Sequence, residues 1–276
     1  MNIAPPPVLT VTQRSASDND RYPQLCQQAA TDDAVFAAFR RHPVYCEILE
    51  HVTPAYGNLY FNWLNQRGAF AMPEIIEAIR ALNGPGDPQL TEFPLLGACS
   101  PTALRYAKMT VELLLLFRGQ RFDRIAEIGA GYGGQMLMLD RLLAPARYDL
   151  FDLPAVNRLI ERFVATHTPH TEYKTHDIAT FNQPVAVFDL VISNYAFSEL
   201  PLALQIPYVE KVISRARHGY MAMNSGVEGY TTFTDANGAT VKARNLSQRE
   251  LLAMLPNARI MADEPNSHAD MYLIYW

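Results

Sequence analysis

A short apolar run leads straight into glycines in Ile125-Ala126-Glu127-Ile128-Gly129-Ala130-Gly131-Tyr132-Gly133-Gly134. Glycines at 129, 131, 133 and 134 permit a tight turn and let a ligand lie against bare main chain. Gly129, Gly131 and Gly134 also satisfy G-x-G-x-x-G, so the glycines alone fit a dinucleotide as well as other nucleotide-like ligands. Carboxylates flank the turn. Glu127 stands two residues before Gly129, and Asp152, followed by Leu153, ends the next apolar run, where it can accept hydrogen bonds from both hydroxyls of a ribose. Asp177, after Tyr173–His176, suits either a ligand contact beyond the strand end or the N-cap of a following turn.

Another run, Phe188–Ile192, opens into Asn194-Tyr195-Ala196-Phe197-Ser198-Glu199, which offers an amide, a phenol, a hydroxyl and a carboxylate for orienting an acceptor and taking up a proton. Glu199 is the leading acid–base candidate, weighed against a carboxylate that merely favours a helix N-terminus before Pro201. Tyr195 joins it. Histidine is the usual base near neutral pH, and the sequence does not rank His51, His170, His176 and His268; His268, between the final two strand-like segments, is kept as a candidate against a solvent-exposed loop position. Thr53-Pro54-Ala55-Tyr56-Gly57-Asn58-Leu59-Tyr60-Phe61 is the richest aromatic stretch and reads as a loop whose Tyr56 and Tyr60 stack on an acceptor, with core packing as the alternative. Ser198 and Asn224 are placed with them on the acceptor side.

These residues need a scaffold that gathers strand ends. From Phe122 onward short apolar runs alternate with longer amphipathic ones, the pattern of a mostly parallel sheet covered on both faces. Ala258–Met261 and Asp270–Trp276 are joined by a short polar link, which fits an antiparallel hairpin at the sheet edge. Before Phe122 the spacing is helical, as in Ala34–Phe39 and Ile75–Ile79. The expected organisation is a flexible tail over 1–22, an N-terminal helical, acceptor-capping region over 23–118, and an α/β Rossmann-like domain over 119–276.

The sequence of 276 residues is 49% hydrophobic and 18% charged, ordinary for a globular enzyme, and its net charge of -5 offers no general attraction to nucleic acid or anionic membranes. Cys26, Cys46 and Cys99 are scattered and odd in number, which suggests neither disulfides nor zinc and fits a reducing cytoplasm. No stretch approaches the roughly 20 apolar residues that span a bilayer, so the chain is expected to be cytoplasmic, with a small-molecule acceptor as its partner and a homo-oligomer left open. No dense Asp/Glu/His cluster appears, so no metal is expected.

Ser100-Pro101-Thr102-Ala103-Leu104-Arg105-Tyr106, the glycine turn opened by Glu127, Phe151-Asp152-Leu153-Pro154 and Phe188–Leu200 occur in an order that resembles the putative sugar O-methyltransferases of bacteria, over Pro94 to Asn224. Leu200 departs from the methionine expected there, and the first ninety residues match only loosely. The resemblance implies a seven-stranded methyltransferase sheet and S-adenosyl-L-methionine as cofactor, with Glu127 as the acid that opens the first motif. By the same resemblance Arg105 pairs with the cofactor carboxylate, Gly129 and Gly131 border its methionine and ribose parts, and Asn194 stands with them. The implied activity is methylation of a hydroxyl on a sugar or sugar-containing small molecule. Alternatives are a natural-product methyltransferase acting on N, C or a phenolic O, a nicotinamide-dependent oxidoreductase, and a non-catalytic cofactor-binding partner.

Overall fold

The computed structural model describes Ser15 and residues 17–182, 187–234, 238–266 and 270–276. Of the tail expected over 1–22, residues 1–14 and 16 lie outside the described residues, as does His268. Helices come first: α1 (Arg21–Thr31), α2 (Asp33–Ala38), α3 (Pro43–Ile48), α4 (Pro54–Gln66) and α5 (Pro73–Ala81). A small hairpin, β1 (Thr91–Phe93) with β2 (Gly97–Cys99), precedes the long α6 (Pro101–Leu116). Then β3 (Arg124–Ile128), α7 (Gly134–Leu143), β4 (Arg147–Phe151), α8 (Pro154–Ala165), β5 (Glu172–His176) and β6 (Phe188–Asn194) alternate. The single turn α9 (Ala196–Glu199), α10 (Leu202–Lys211) and β7 (Ala216–Met223) follow, then the ribbon β8 (Tyr230–Thr234) with β9 (Thr240–Arg244), α11 (Gln248–Met254), β10 (Arg259–Ala262) and β11 (Tyr272–Tyr275).

Seven strands form one sheet in the order β10-β11-β7-β6-β3-β4-β5. The pairs β3·β4, β3·β6, β4·β5 and β6·β7 are parallel, whereas β11 runs antiparallel to both β10 and β7. This is the seven-stranded, mostly parallel Rossmann-like sheet with an antiparallel closing pair expected from the sequence. The closing hairpin is present, and its last strand is inserted beside β7 rather than left at the edge.

Side chains of the central strands divide between two cores with the two-residue period of a strand. Ile125, Tyr148, Leu150, Leu190, Ile192, Tyr220, Ala222 and Leu273 join the cluster that also holds residues of α1 and α4 to α8. Ala126, Ile128, Phe151, Val191, Met221, Met223 and Ile274 join the opposite cluster with Tyr208 of α10 and Leu251 of α11. Burial on both faces explains why these strands read as near-continuous apolar runs. Among the described residues no helix is long and apolar enough to cross a membrane.

Two local expectations are corrected. The aromatic stretch 53–61 is not a loop: Thr53 Oγ1 accepts the Tyr56 N–H at 3.3 Å, Pro54 fills the first helical position, and α4 runs through to Gln66. Gly57, which suggests a break, serves close packing instead, because a Cβ there would lie 2.8 Å from Phe93 Cζ. Within the segment expected to be helical throughout, β1 and β2 intervene, turning through Leu95 at φ 67°.

The preceding helices are clasped to the glycine turn by Arg40, which is fully buried. Its Nε donates to Glu50 Oε1 at 2.5 Å, Nη1 to the Leu82 carbonyl at 2.5 Å, and Nη2 to Tyr132 Oη at 3.1 Å. Removing one partner of a buried ion pair strands the other charge, so Arg40→Met should cost about 3–5 kcal/mol in urea unfolding. Combining it with Glu50→Gln should restore part of that loss. A cost below about 1 kcal/mol would show that the clasp is not needed.

Candidate functional site

Carboxyl ends of parallel strands are where ligands bind in open α/β sheets, and here the tips of β3, β4, β6 and β7 converge with α4 and α6 around connected cavities. The turn after β3 holds Gly129 at φ 75° and Gly131 at φ 62°, conformations costly to any side chain. The surroundings are equally restrictive: a Cβ on Gly129 would meet Ala196 Cβ at 2.0 Å, and one on Gly131 would meet Leu49 Cδ1 at 2.2 Å. Gly133, at φ 86°, is the N-cap of α7. From β4, Asp152 Oδ2 accepts the Gly131 N–H at 3.0 Å and Oδ1 the Leu153 N–H at 2.8 Å. Burial outweighs these bonds and pushes the Asp152 carboxyl up to about 6.

The central cavity, about 120 Å³, is walled by Gly129, Gly131, Glu127, Asp152, Asn194, Arg105 and Glu199, among others. On one side it shares Ser17, Gly129, Asp152, Ala196 and Glu199 with an apolar cavity of about 310 Å³ lined by Ile128, Phe151, Leu153, Ile178, Leu204 and Tyr208. On the other it shares His51, Arg105, Tyr195 and Asn224 with a cavity of about 180 Å³ lined also by Thr53, Tyr56, Tyr60 and Met271. The result is a continuous trench, apolar at one end and rich in hydroxyl and amide groups at the other.

Arg105, on α6, is 8% exposed. Its Nη2 donates to the Leu49 carbonyl and its Nη1 meets His51 Nε2, both at 3.3 Å, and among the described residues no carboxylate lies within ion-pair distance. A buried guanidinium without a counter-ion is a ready partner for an anionic ligand. Asn194 is its complement. Its Nδ2 is held by Gln135 Oε1 at 3.2 Å, while its buried Oδ1 has no hydrogen-bond partner among the described residues. An orphaned buried acceptor is uncommon in native proteins and marks a place for a donor.

Glu127 is 1% exposed and accepts the Tyr148 hydroxyl at 2.8 Å. Burial pushes its carboxyl up to about 8; the Tyr148 bond opposes this and the neighbouring Asp152 adds to it. Glu199 receives Asn224 Nδ2 on Oε1 at 2.7 Å, and burial raises its carboxyl against that bond and the nearby Arg105. Tyr195 sits at φ 69° between β6 and α9, a left-handed conformation that costs a non-glycine residue of order 1–3 kcal/mol and often marks a functional position. Its N–H is fixed by the Ala222 carbonyl at 2.8 Å and its hydroxyl donates to Asp263 Oδ2 at 2.6 Å.

The structure therefore brings Arg105, Glu127, Gly129, Gly131, Asp152, Asn194, Tyr195, Glu199 and Asn224 to the central cavity. Leu153 and Asp177 reach the apolar one, and Tyr56 and Tyr60, one helical turn apart on α4, the third. Asp177 also accepts the Ala179 N–H on Oδ1 at 2.9 Å, so the capping alternative holds alongside its place in the wall. Ser198 lines none of the three cavities. It faces inward from α9, fully buried, with Oγ 2.6 Å from Asn224 Oδ1, so it supports Asn224 instead of meeting a ligand. Glu199 lies in the central and apolar cavities but not in the third. His268 remains outside the described residues.

Sequence reasoning did not place His51 or Ser17 in the walls. His51, withdrawn from water and next to Arg105, has its imidazole lowered to about 4 and is neutral near pH 7. Ser17 belongs to a polar stretch that carries no local sign of docking on the site. Among the described residues no three of His, Cys, Asp or Glu gather as a metal ion would need.

No protein-family description matches the chain, nor does any curated protein. Solved structures similar to it include an S-adenosylmethionine-dependent methyltransferase from Clostridium acetobutylicum, at 10% identity and TM-score 0.46 over 62% of this chain and 89% of that one. The N-terminal domain of EvdMO1 with SAH bound aligns at 18% identity and TM-score 0.45 over 74% of this chain and 95% of that one. The glycopeptide N-methyltransferase MtfA aligns at 14% identity and TM-score 0.43 over 62% and 88%. At these identities the likeness is confined to the fold.

The raised Glu127 carboxyl has a consequence for stability. Its ordinary value is 4.5, so between about 4.5 and about 8 the folded state holds a proton that the unfolded state has lost. Stability is accordingly present below pH 4.5 and falls as pH rises toward 8. Glu127→Gln should lack this fall, so its stability relative to the parent should grow between pH 5 and pH 8.5 in urea unfolding. Parallel curves for the two proteins would contradict the burial of an ionisable group there.

Proposed function

We propose that the chain is an S-adenosylmethionine-dependent O-methyltransferase that acts on a hydroxyl of a sugar or sugar-containing small molecule. The observation that carries this reading is the pairing, in one cavity of about 120 Å³, of Arg105 and Asn194 Oδ1, which among the described residues lack a counter-ion and a hydrogen-bond partner respectively, beside Asp152 at the tip of β4. Arg105 offers a fork for a carboxylate and Asn194 an acceptor for an ammonium, the two ends of an α-amino acid. Asp152 can turn its oxygens from loop N–H groups to ribose hydroxyls, and the apolar cavity beyond, with Asp177 in its wall, suits a flat purine. When bound there, such a cofactor supplies an electrophilic methyl group carried on a sulfonium.

The chain itself must then position the acceptor, exclude water and take up its proton. Tyr195 and Asn224 border both the central cavity and the one lined by Thr53, Tyr56 and Tyr60, so they stand where donor and acceptor would meet. Glu199, on the donor side, is suited to orient the cofactor and is the alternative acid–base group. Aromatic faces at Tyr56 and Tyr60 together with the hydroxyls and the Asn224 amide favour a small hydroxylated ring over a purely apolar acceptor. The helical segments before β3 supply this acceptor wall, and the setting is a cytoplasmic enzyme of small molecules.

Calorimetry tests the reading. S-adenosylmethionine and S-adenosylhomocysteine should bind, and NAD should give no binding heat. Asp152→Ala and Arg105→Met should each weaken S-adenosylhomocysteine by about 1–3 kcal/mol. Binding of NAD in preference, or unchanged affinity in both variants, would overturn it.

A further inference from the structure

Behind Tyr195 lies a chain of buried groups for which the methyl-transfer reading, as it stands, has no use. Tyr195 Oη donates to Asp263 Oδ2 at 2.6 Å, and Asp263 Oδ1 receives Lys108 Nζ at 2.6 Å. The same ammonium reaches Glu112 Oε2 at 2.9 Å, which also accepts the Tyr220 hydroxyl at 2.7 Å. Asp263 and Lys108 are each 1% exposed, and Glu112 and Tyr220 are also buried. The string links α6, the β6–α9 turn, β7 and the residue after β10.

One ammonium faces two carboxylates. Burying charge is expensive, and a structural cross-link would be satisfied by a single carboxylate for the single lysine. The second carboxylate is more than one ammonium requires, and of the two it is Asp263 that the Tyr195 hydroxyl reaches. Tyr195, which lines two of the cavities, connects these groups to the trench, and Asp263, Lys108 and Glu112 line none of the three. Facing the Tyr195 ring from the trench are the Arg105 guanidinium, 5.9 Å from its centroid, and the Tyr60 phenol.

We propose, resting on the methyl-transfer reading above, that the buried Asp263 receives through Tyr195 the proton released when the acceptor hydroxyl is methylated. Forming the acceptor O–CH3 bond breaks the C–S bond of a sulfonium, leaves its electron pair on a neutral thioether sulfur and frees the proton of the acceptor O–H. That proton passes to Tyr195 Oη while the proton already on Tyr195 passes to Asp263 Oδ2. Tyr195 remains a neutral phenol before and after. One positive charge on the donor and one negative charge in the cluster disappear together, so the interior never gains net charge. Tyr195 is the group that touches the acceptor, and Asp263 is a positioning residue that acts through it.

The test compares the parent protein with Tyr195→Phe, Asp263→Asn, their double variant and Asp263→Glu. Calorimetry with S-adenosylhomocysteine comes first. Affinity within about twofold in all of them shows an intact donor site, whereas no binding to the parent sinks the methyl-transfer reading and not the charge cluster. Carbon NMR of protein labelled at the aspartate carboxyl carbon, with Asp263 assigned from Asp263→Asn, then needs no acceptor. An ionised carboxylate at neutral pH whose resonance moves in Tyr195→Phe supports the proposal, and a protonated Asp263 overturns it. Turnover is read with tritiated S-adenosylmethionine on free monosaccharides and nucleotide-linked sugars. Asp263→Asn and Tyr195→Phe should each lower kcat on the order of 10²-fold with acceptor KM retained, the double variant should fall no further, and Asp263→Glu should recover part. An unchanged kcat in Asp263→Asn overturns the proposal, and if no probe is methylated the carboxylate resonance decides alone.

Discussion

The hydrogen bond from the Gly131 N–H to Asp152 Oδ2, 3.0 Å long, is the contact on which the site is built. It joins the turn leaving β3 to the tip of β4 and keeps the main chain bare where a ligand would lie. The turn can take that path only because Gly129 and Gly131 accept left-handed dihedrals, and it is pressed from two sides, by Ala196 of α9 and by Leu49 just after α3. Three separate stretches of chain thus meet at two glycines. Through Tyr132 and Arg40 the same turn is anchored to the helices that precede the sheet.

Several features of the trench run against stability. A guanidinium without a counter-ion and an amide oxygen without a partner among the described residues, a carboxyl raised to about 8 and a tyrosine in a left-handed conformation each cost free energy. Such costs concentrated at one sheet edge are the mark of groups held ready for a ligand. They also differ in kind: Arg105 is a cation, while Asn194 Oδ1 and the carboxyl oxygens of Asp152 and Glu199 are hydrogen-bond acceptors.

Much of this was legible in the sequence because it rests on short-range rules. Period-two apolar runs, the glycine turn opened by Glu127, Asp152 on the next strand and the polar loop after β6 gave the sheet and most of the trench wall. The failures share a cause, which is that tertiary contact overrides local signals. Gly57 reads as a break and is a packing glycine in α4; Ser198 reads as a site hydroxyl and faces inward on a single helical turn. His51 and Ser17 are brought in from stretches with no strand periodicity, and the Lys108–Asp263 contact joins residues 155 positions apart, beyond any motif.

The central claim is that the bare turn at the end of β3 holds a sulfonium donor whose amino-acid end lies between Arg105 and Asn194. A crystal structure of the protein with S-adenosylhomocysteine tests it most directly. The account predicts the ligand's carboxylate on Arg105, its ammonium on Asn194 Oδ1, its ribose hydroxyls on Asp152 and its sulfur turned toward Tyr195. Ligand density elsewhere, or an empty trench at saturating concentration, would contradict it.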